Sequence, residues 1–190
     1  MCMRKIFVML SLLVSVLASA KSAQFNLFVP NASDEIVIVK TFSTSLSEAD
    51  AVKKVLQMLN GDDGNIEKVS DNLYSGAFQT QNYINPFSGN TRRKLKMDLT
   101  ITVKDGFVTL TMTNLILQEF YVGYGIHEKN YNLNIKMKEY YAAKKMVIDK
   151  SGSKKEIKDA KDIIENVEDE IYPSEEELAS RLSSLEITLK

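Results

Sequence analysis

The strongest constraint on the fold is a regular alternation of apolar and polar side chains between Lys94 and Leu117. Successive side chains of a strand lie on opposite faces, so this segment has one apolar face and one polar face. A single Asp105-Gly106 dipeptide, typical of two-residue hairpin turns, divides the segment. We therefore expect an antiparallel hairpin with one buried and one solvated face. The apolar positions are Leu95, Met97, Leu99, Ile101, Val103, Val108, Leu110 and Met112, and the polar positions include Lys96, Asp98, Thr100, Thr102, Thr109, Thr111 and Thr113.

The segments before this hairpin carry strand and helix patterns. A helix is expected from Ser45, because Ser45 and Glu48 have the spacing of a capping box, to Gly61, a favourable helix terminator. Its apolar residues recur at helical spacing between Val52 and Leu59. Strands rich in β-branched or alternating residues are expected at 34–42, 66–69 and 73–84.

The chain after residue 117 is harder to interpret. Residues 118–130 suggest a loop with packed aromatic side chains, and alternation from Tyr131 to Met137 allows another strand. Residues 139–148 fit a helix or a strand, with the helix favoured. Two C-terminal helices are then expected, capped by Ser153 with Glu156 and by Ser174 with Glu177, and separated by Pro173. Residues 149–190 contain 12 acidic and 7 basic side chains.

The first twenty residues have the layout of a secretory signal peptide. A basic start at Arg4 and Lys5 precedes an apolar run at 6–18, and small residues stand at Ala18 and Ala20. The run is shorter than the ~20 residues that cross a bilayer. We therefore expect cleavage near Ala20 and a periplasmic or secreted protein, with no transmembrane segment after the signal is removed.

This interpretation divides the chain into four parts. Residues 1–20 form the signal peptide and 21–33 an N-terminal extension. Residues 34–148 form an α+β core, and 149–190 form acidic helices that pack on the sheet. The lone cysteine, Cys2, lies in the signal, so the exported chain has neither a disulfide nor a thiol nucleophile.

The order of elements resembles a secreted family from Bacteroidetes, described as a domain of unknown function with a TATA-binding-protein-like (TBP-like) fold. The resemblance is carried by EIVIVKTF, SEADAVKKVLQMLN, IEKV and LTITVKDGFVTLTMTNL, which together span roughly residues 34–117. It implies a curved antiparallel sheet with helices on one face. It implies no established reaction and no functional residue, and the name describes shape rather than DNA binding.

The fold expected from these observations is α+β. We expect a curved antiparallel sheet of about five strands in β-α-β-β-β-β-α order, with helices on one face. A helix-grip fold, in which a bent sheet wraps a C-terminal helix, is the alternative.

Few residues suggest chemistry. His127 is the only histidine, and no paired-histidine, nucleophile-elbow or glycine-rich phosphate motif occurs. We therefore expect no catalytic residues, no metal and no cofactor. A formal net charge of −1, which becomes −3 when Arg4 and Lys5 are removed, argues against nucleic acid as a partner.

The candidate binding surface comprises a basic patch and two threonines of the hairpin. These residues are Arg92, Arg93, Lys94, Lys96, Thr109 and Thr111. The expected function is a non-catalytic binding or envelope-associated module whose partner is an envelope protein or a small ligand. The alternative is a small-molecule or lipid carrier with a cavity between the sheet and the C-terminal helix.

Overall fold

The computed structural model describes residues 24–85, 89–123 and 125–189. The described residues form a mixed α+β fold with one open antiparallel sheet and three helices. The sheet has the order β1-β5-β4-β3-β2, with β6 also paired to β5. The elements are β1 (Ile38–Ser43), α1 (Glu48–Asn60), β2 (Glu67–Ser70), β3 (Leu73–Asn85), β4 (Gly89–Lys104), β5 (Phe107–Gly123), β6 (Gly125–Asn132), α2 (Leu133–Asp149) and α3 (Lys154–Thr188).

The predicted hairpin is confirmed as β4 and β5. Asp105 and Gly106 connect the strands with φ of 51° and 79°. Positive φ at both central residues characterises the turn that matches the twist of paired strands. The hairpin is long, because pairing continues from Lys104 opposite Phe107 to residue 90 opposite residue 122.

A β-bulge at Asn114 interrupts this pairing. Asp98 lies opposite Thr113 but Lys96 lies opposite Ile116, so β5 contains one extra residue. Asn114 has φ of 55°, and its Nδ2 donates a hydrogen bond to Asp98 Oδ2 at 3.1 Å. The extra residue reverses which side chains of β5 face the core. Val108, Leu110 and Met112 are buried before the bulge, and Leu115, Leu117 and Glu119 are buried after it.

β1 and β6 share the remaining edge of β5. β1 pairs with residues 107–112 and β6 with residues 116–123, so the two strands lie along the same edge. The loop expected at 118–130 was therefore wrong, because residues 118–123 form the end of β5 and residues 125–130 belong to β6. The sheet has six strands where about five were expected.

All three helices lie on one face of the sheet. α1 and α2 both contact α3, and α3 also contacts β1, β3 and β4. Between these layers lies a core of fully buried side chains, as expected for an α+β domain. Its largest members include Phe28, Phe78, Leu95, Met97, Leu99, Leu110, Met112, Leu117 and Tyr140.

The first two helices begin at other residues than the sequence predicted. Ser47 rather than Ser45 caps α1, since its side chain accepts the backbone N–H of Asp50 at 3.2 Å. α2 begins at Leu133, within the stretch that alternation had suggested as a strand. The 139–148 segment is helical, as favoured.

The two expected C-terminal helices form one helix of 35 residues, α3. Its predicted capping box at Ser153 and Glu156 is confirmed. Pro173 lies inside the helix rather than between two helices, and Ser174 is not a cap. The Ser174 hydroxyl instead lies 2.9 Å from the hydroxyl of Thr80 in β3.

The segment before β1 is fixed to the helices. The buried Glu175 carboxylate accepts the backbone N–H groups of Asn26 and Phe28. The Phe25 ring packs edge-on against Tyr140 and Tyr172, with centroids 5.1 and 5.6 Å away. The predicted signal peptide lies outside the described residues. Among the helices that are described, none combines the length and apolar character needed to cross a bilayer.

We predict that Asn114→Val destabilises the protein, because a β-branched residue disfavours the left-handed backbone of the bulge. The expected loss in unfolding free energy is about 1–2 kcal/mol by urea denaturation. Asn114→Gly is the control and should lose much less, since glycine adopts positive φ readily. Equal losses for the two variants would show that the backbone conformation is not the cause.

Candidate functional site

The sheet face opposite the helices, called the open face below, is the candidate site. Near the hairpin turn, β1, β5 and β4 lie side by side and form this face. Thr111 lies between Val39 and Thr100, and Thr109 lies between Thr41 and Thr102. The residues that define the open face here are Val39, Thr41, Thr100, Thr102, Phe107, Thr109 and Thr111.

The open face combines exposed apolar side chains with hydroxyl groups. Val39 and Phe107 are 56% and 52% exposed. The hydroxyls of Thr41 and Thr109 lie 3.1 Å apart across two strands. Phe107 lies opposite Ser43, four residues along β1 from Val39, so the two apolar side chains flank the hydroxyls of Thr41 and Thr109 and do not form one contiguous apolar patch. The two candidate residues Thr109 and Thr111 thus lie together at the centre of this surface.

The basic residues of the candidate surface occupy another part of the same face. Arg92, Lys94 and Lys96 are alternate residues of β4, so they form one row with a spacing of about 7 Å. Arg92 and Lys96 are exposed and Lys94 is half-buried. Within the described part of the chain none of the three makes an ion pair. They are named the basic row below.

Arg93 does not belong to that row. It lies on the opposite face of β4, in the alternation that also buries Leu95, and it is 6% exposed. Its Nε and Nη2 both lie 2.8 Å from Glu119 Oε1. The candidate basic patch was therefore wrong at this position, since Arg93 pairs internally and cannot contact a partner at the open face. Extending the alternation of Leu95 and Met97 back by two residues would have predicted that Arg93 faces the core.

Glu119 is the centre of a buried polar cluster. Its Oε2 accepts hydrogen bonds from the hydroxyls of Tyr121 and Tyr131. Burial pushes the pKa of Glu119 upward, but the hydrogen bonds from Tyr121 and Arg93 and the Arg93 charge outweigh burial and hold the pKa below its usual value. Burial, together with the charges of Glu170 and Glu119, raises the pKa of Tyr131 to about 12. The ionised Glu119 and the neutral Tyr131 are therefore the stable forms.

The same cluster explains how α3 accommodates a proline. Pro173 has no N–H, so the carbonyl of Asp169, four residues earlier, lacks its helical donor. Arg93 Nη1 lies 3.4 Å from that carbonyl oxygen and donates to it. Arg93 thus joins the sheet to α3.

The clefts that the structure describes lie elsewhere. One of about 690 Å³ lies beside α1 and Tyr74, one of about 410 Å³ lies between Pro30 and α2, and one of about 160 Å³ lies between β1 and α3. None of the three is lined by residues 154–171. Among the described residues no group of three metal-ligating side chains occurs. His127 lies opposite Tyr121 in β6, and its side chain lies outside the described part of the structure.

Comparison with known proteins finds similarity to solved structures alone. No family model and no curated protein matches the sequence. A DUF4468 family protein from Bacteroides ovatus ATCC 8483 is 16% identical, over 53% of this chain and 64% of that chain, with a TM-score of 0.32. A TBP-like protein from Parabacteroides distasonis ATCC 8503 is 13% identical, over 56% of this chain and 71% of that chain, with a TM-score of 0.36.

Both neighbours come from Bacteroidetes, and their descriptions match the family that the sequence resembles: a domain of unknown function with a TBP-like fold. The chain spans just under two thirds of the first neighbour's chain. The descriptions of the two neighbours name neither a ligand nor a reaction.

We predict that Arg93→Met lowers the unfolding free energy by about 3–5 kcal/mol, because it leaves the Glu119 carboxylate buried without its cation. The double variant Arg93→Met with Glu119→Leu should lose less than the single variant, since it leaves no buried charge. Urea denaturation of both single variants and the double variant measures this coupling. Additive losses would contradict a direct pairing.

We predict that Glu119 makes stability depend on pH in the acid range. A carboxyl whose pKa is lowered in the folded state stabilises it above its unfolded value, near 4.5, and this contribution is lost as pH falls through the lowered pKa. The stability difference between wild type and Glu119→Gln should therefore shrink below about pH 4.5. Urea denaturation between pH 3 and 7 measures it, and a constant difference would contradict the assignment.

Proposed function

We propose that the protein is an exported, non-catalytic binding module that contacts its partner through the open face. The observation that carries this proposal is the one-sided arrangement of the helices. α1, α2 and α3 all cover the inner face, while Val39 and Phe107 remain more than half exposed on the other. Exposed apolar groups surrounded by hydroxyls suit a contact surface with a polar component.

Two further observations favour binding over catalysis. Arg93 and Glu119, whose side chains form a buried ion pair, are only 6% and 1% exposed. Its groups satisfy one another and the Asp169 carbonyl, which supports a structural role. Catalytic groups, in contrast, must reach a substrate.

The carrier alternative has less support. A carrier needs an enclosed cavity of several hundred Å³ between the sheet and the helix at 154–171. The described space between sheet and helices is occupied by side chains such as Leu95, Met97 and Leu99, each with no exposed surface. The described clefts are lined by other residues.

Export is proposed from the leader alone. The basic start, the short apolar run and the small residues before Lys21 support it. The N-terminal sequence of the natural product, together with its distribution between cytoplasm and envelope, would test this. A product that begins at Met1 in the cytoplasm would contradict export.

We predict that Thr109→Glu combined with Thr111→Glu abolishes partner binding, because two carboxylates placed at the centre of the open face must lose hydration on contact. Binding is measured as the amount of each envelope component cross-linked to the purified protein. Ser180→Glu combined with Ser183→Glu is the matched control, since it adds two equal charges to exposed positions of α3.

The pattern of loss decides the outcome. A component lost with the threonine variant and kept with the serine variant supports the open face. Equal loss or equal retention contradicts the proposal, and so does a wild-type protein that binds neither an envelope component nor envelope lipid. Circular dichroism of each variant separates loss of binding from loss of folding.

A further inference from the structure

We infer that the partner of the open face is an anionic membrane surface, and that the basic row Arg92, Lys94 and Lys96 contacts its lipid headgroups. This inference rests on the proposed function and names the partner of the same face. The three cations lie on one face of one strand, with no ion pair to any described residue. Unpaired cations held at fixed spacing attract an equally repetitive set of anions.

The side chains beside the row are suited to a membrane interface. In β5, Ile116 lies opposite Lys96, Gln118 opposite Lys94 and Phe120 opposite Arg92. Each of the three β5 side chains is half-buried. Two of these neighbours, Ile116 and Phe120, are aliphatic or aromatic, and cations beside such groups suit the boundary between headgroups and acyl chains, where both kinds of group are accommodated.

The shape of the site favours a planar partner over a small soluble anion. A small ligand is normally bound in a concave pocket that covers most of its surface. None of the described clefts is lined by a residue of the basic row. Cations arranged along a strand instead make several separate, weak contacts, as polybasic segments do at an anionic bilayer.

The distribution of charge orients the protein on such a surface. Residues 149–190, most of which form α3 on the opposite face, contain 12 acidic and 7 basic side chains. An anionic membrane therefore repels the α3 side and attracts the basic row. Because the whole chain has a net charge of only −1, the attraction depends on orientation and not on overall charge.

Cosedimentation with lipid vesicles tests the inference. The purified protein is mixed with vesicles of 30% phosphatidylglycerol in phosphatidylcholine, or of phosphatidylcholine alone, at low salt. We expect binding to the anionic vesicles only, with strong weakening at 0.5 M NaCl as screening shortens the range of the attraction. Lys94→Gln combined with Lys96→Gln should weaken binding roughly twentyfold, since each cation near an anionic surface contributes about fivefold.

Two further variants separate the basic row from general charge effects. Lys94→Arg with Lys96→Arg keeps both charges and should keep binding. Lys154→Gln with Lys155→Gln removes two exposed cations from the start of α3 and should also leave binding unchanged. Equal weakening by this α3 pair and by the β4 pair would overturn the assignment to the basic row.

A soluble polyanion separates the two sources of anionic groups. If polygalacturonate binds with the same dependence on Lys94 and Lys96 while anionic vesicles do not, a soluble acidic glycan replaces the membrane and the inference is overturned. If neither binds but an envelope protein is cross-linked to the wild type and not to the variant Thr109→Glu with Thr111→Glu, the inference fails and the proposed function stands. If nothing binds the open face in either experiment, both fail.

Discussion

The single extra residue at Asn114 determines how the far half of the sheet is built. If β5 were regular through Asn114, the alternation of Val108, Leu110 and Met112 would continue and place Glu119 on the solvated face. The left-handed backbone at Asn114 shifts β5 by one residue relative to β4, so Leu115, Leu117 and Glu119 face inward. A one-residue shift moves every later side chain of the strand to the other face of the sheet, so one bulge determines which residues of the rest of β5 are buried.

That reversal places the Glu119 carboxylate opposite Arg93 beneath the helices. The buried pair then does more than neutralise itself, because Arg93 also donates to the Asp169 carbonyl that Pro173 leaves without a helical donor. A proline inside α3 and an arginine inside the sheet would each be unfavourable alone. Their contact gives the Asp169 carbonyl a donor and the buried Arg93 guanidinium an acceptor. It connects the sheet to α3 near the point where the Thr80 and Ser174 hydroxyls also meet.

The arrangement of layers links this architecture to the proposed function. The helices, the polar cluster and the N-terminal segment held by Glu175 all lie on the inner face, so no helix of the described residues covers the open face. Two different sets of side chains lie along that face. Threonines with Val39 and Phe107 lie near the hairpin turn, and the basic row lies farther along β4.

Residue patterns alone were sufficient for the hairpin, because a period of two over twenty residues with an Asp-Gly turn fits few other structures. They were also sufficient for α1, for the Ser153 cap and for the α+β class. The patterns failed where tertiary contacts determine the secondary structure. Residues 118–130 look irregular because Phe120, Tyr121 and Glu119 mix polar and aromatic groups, but residues 118–123 and 125–130 pair as strands of the sheet.

Arg93 and Pro173 show the same difference between what local patterns predict and what tertiary contacts determine. Parity along β4 already places Arg93 inward, yet the sequence contains no sign of Glu119 as its partner, since 26 residues and a bulge separate them. Pro173 is a helix breaker by its local chemistry, and only the distant Arg93 donor allows α3 to continue through it. Local residue patterns are enough to predict which segments alternate and which face of the hairpin is apolar, because those properties depend on neighbouring residues. Which polar residues are buried and paired follows only from the folded chain, because it depends on register between strands far apart in sequence.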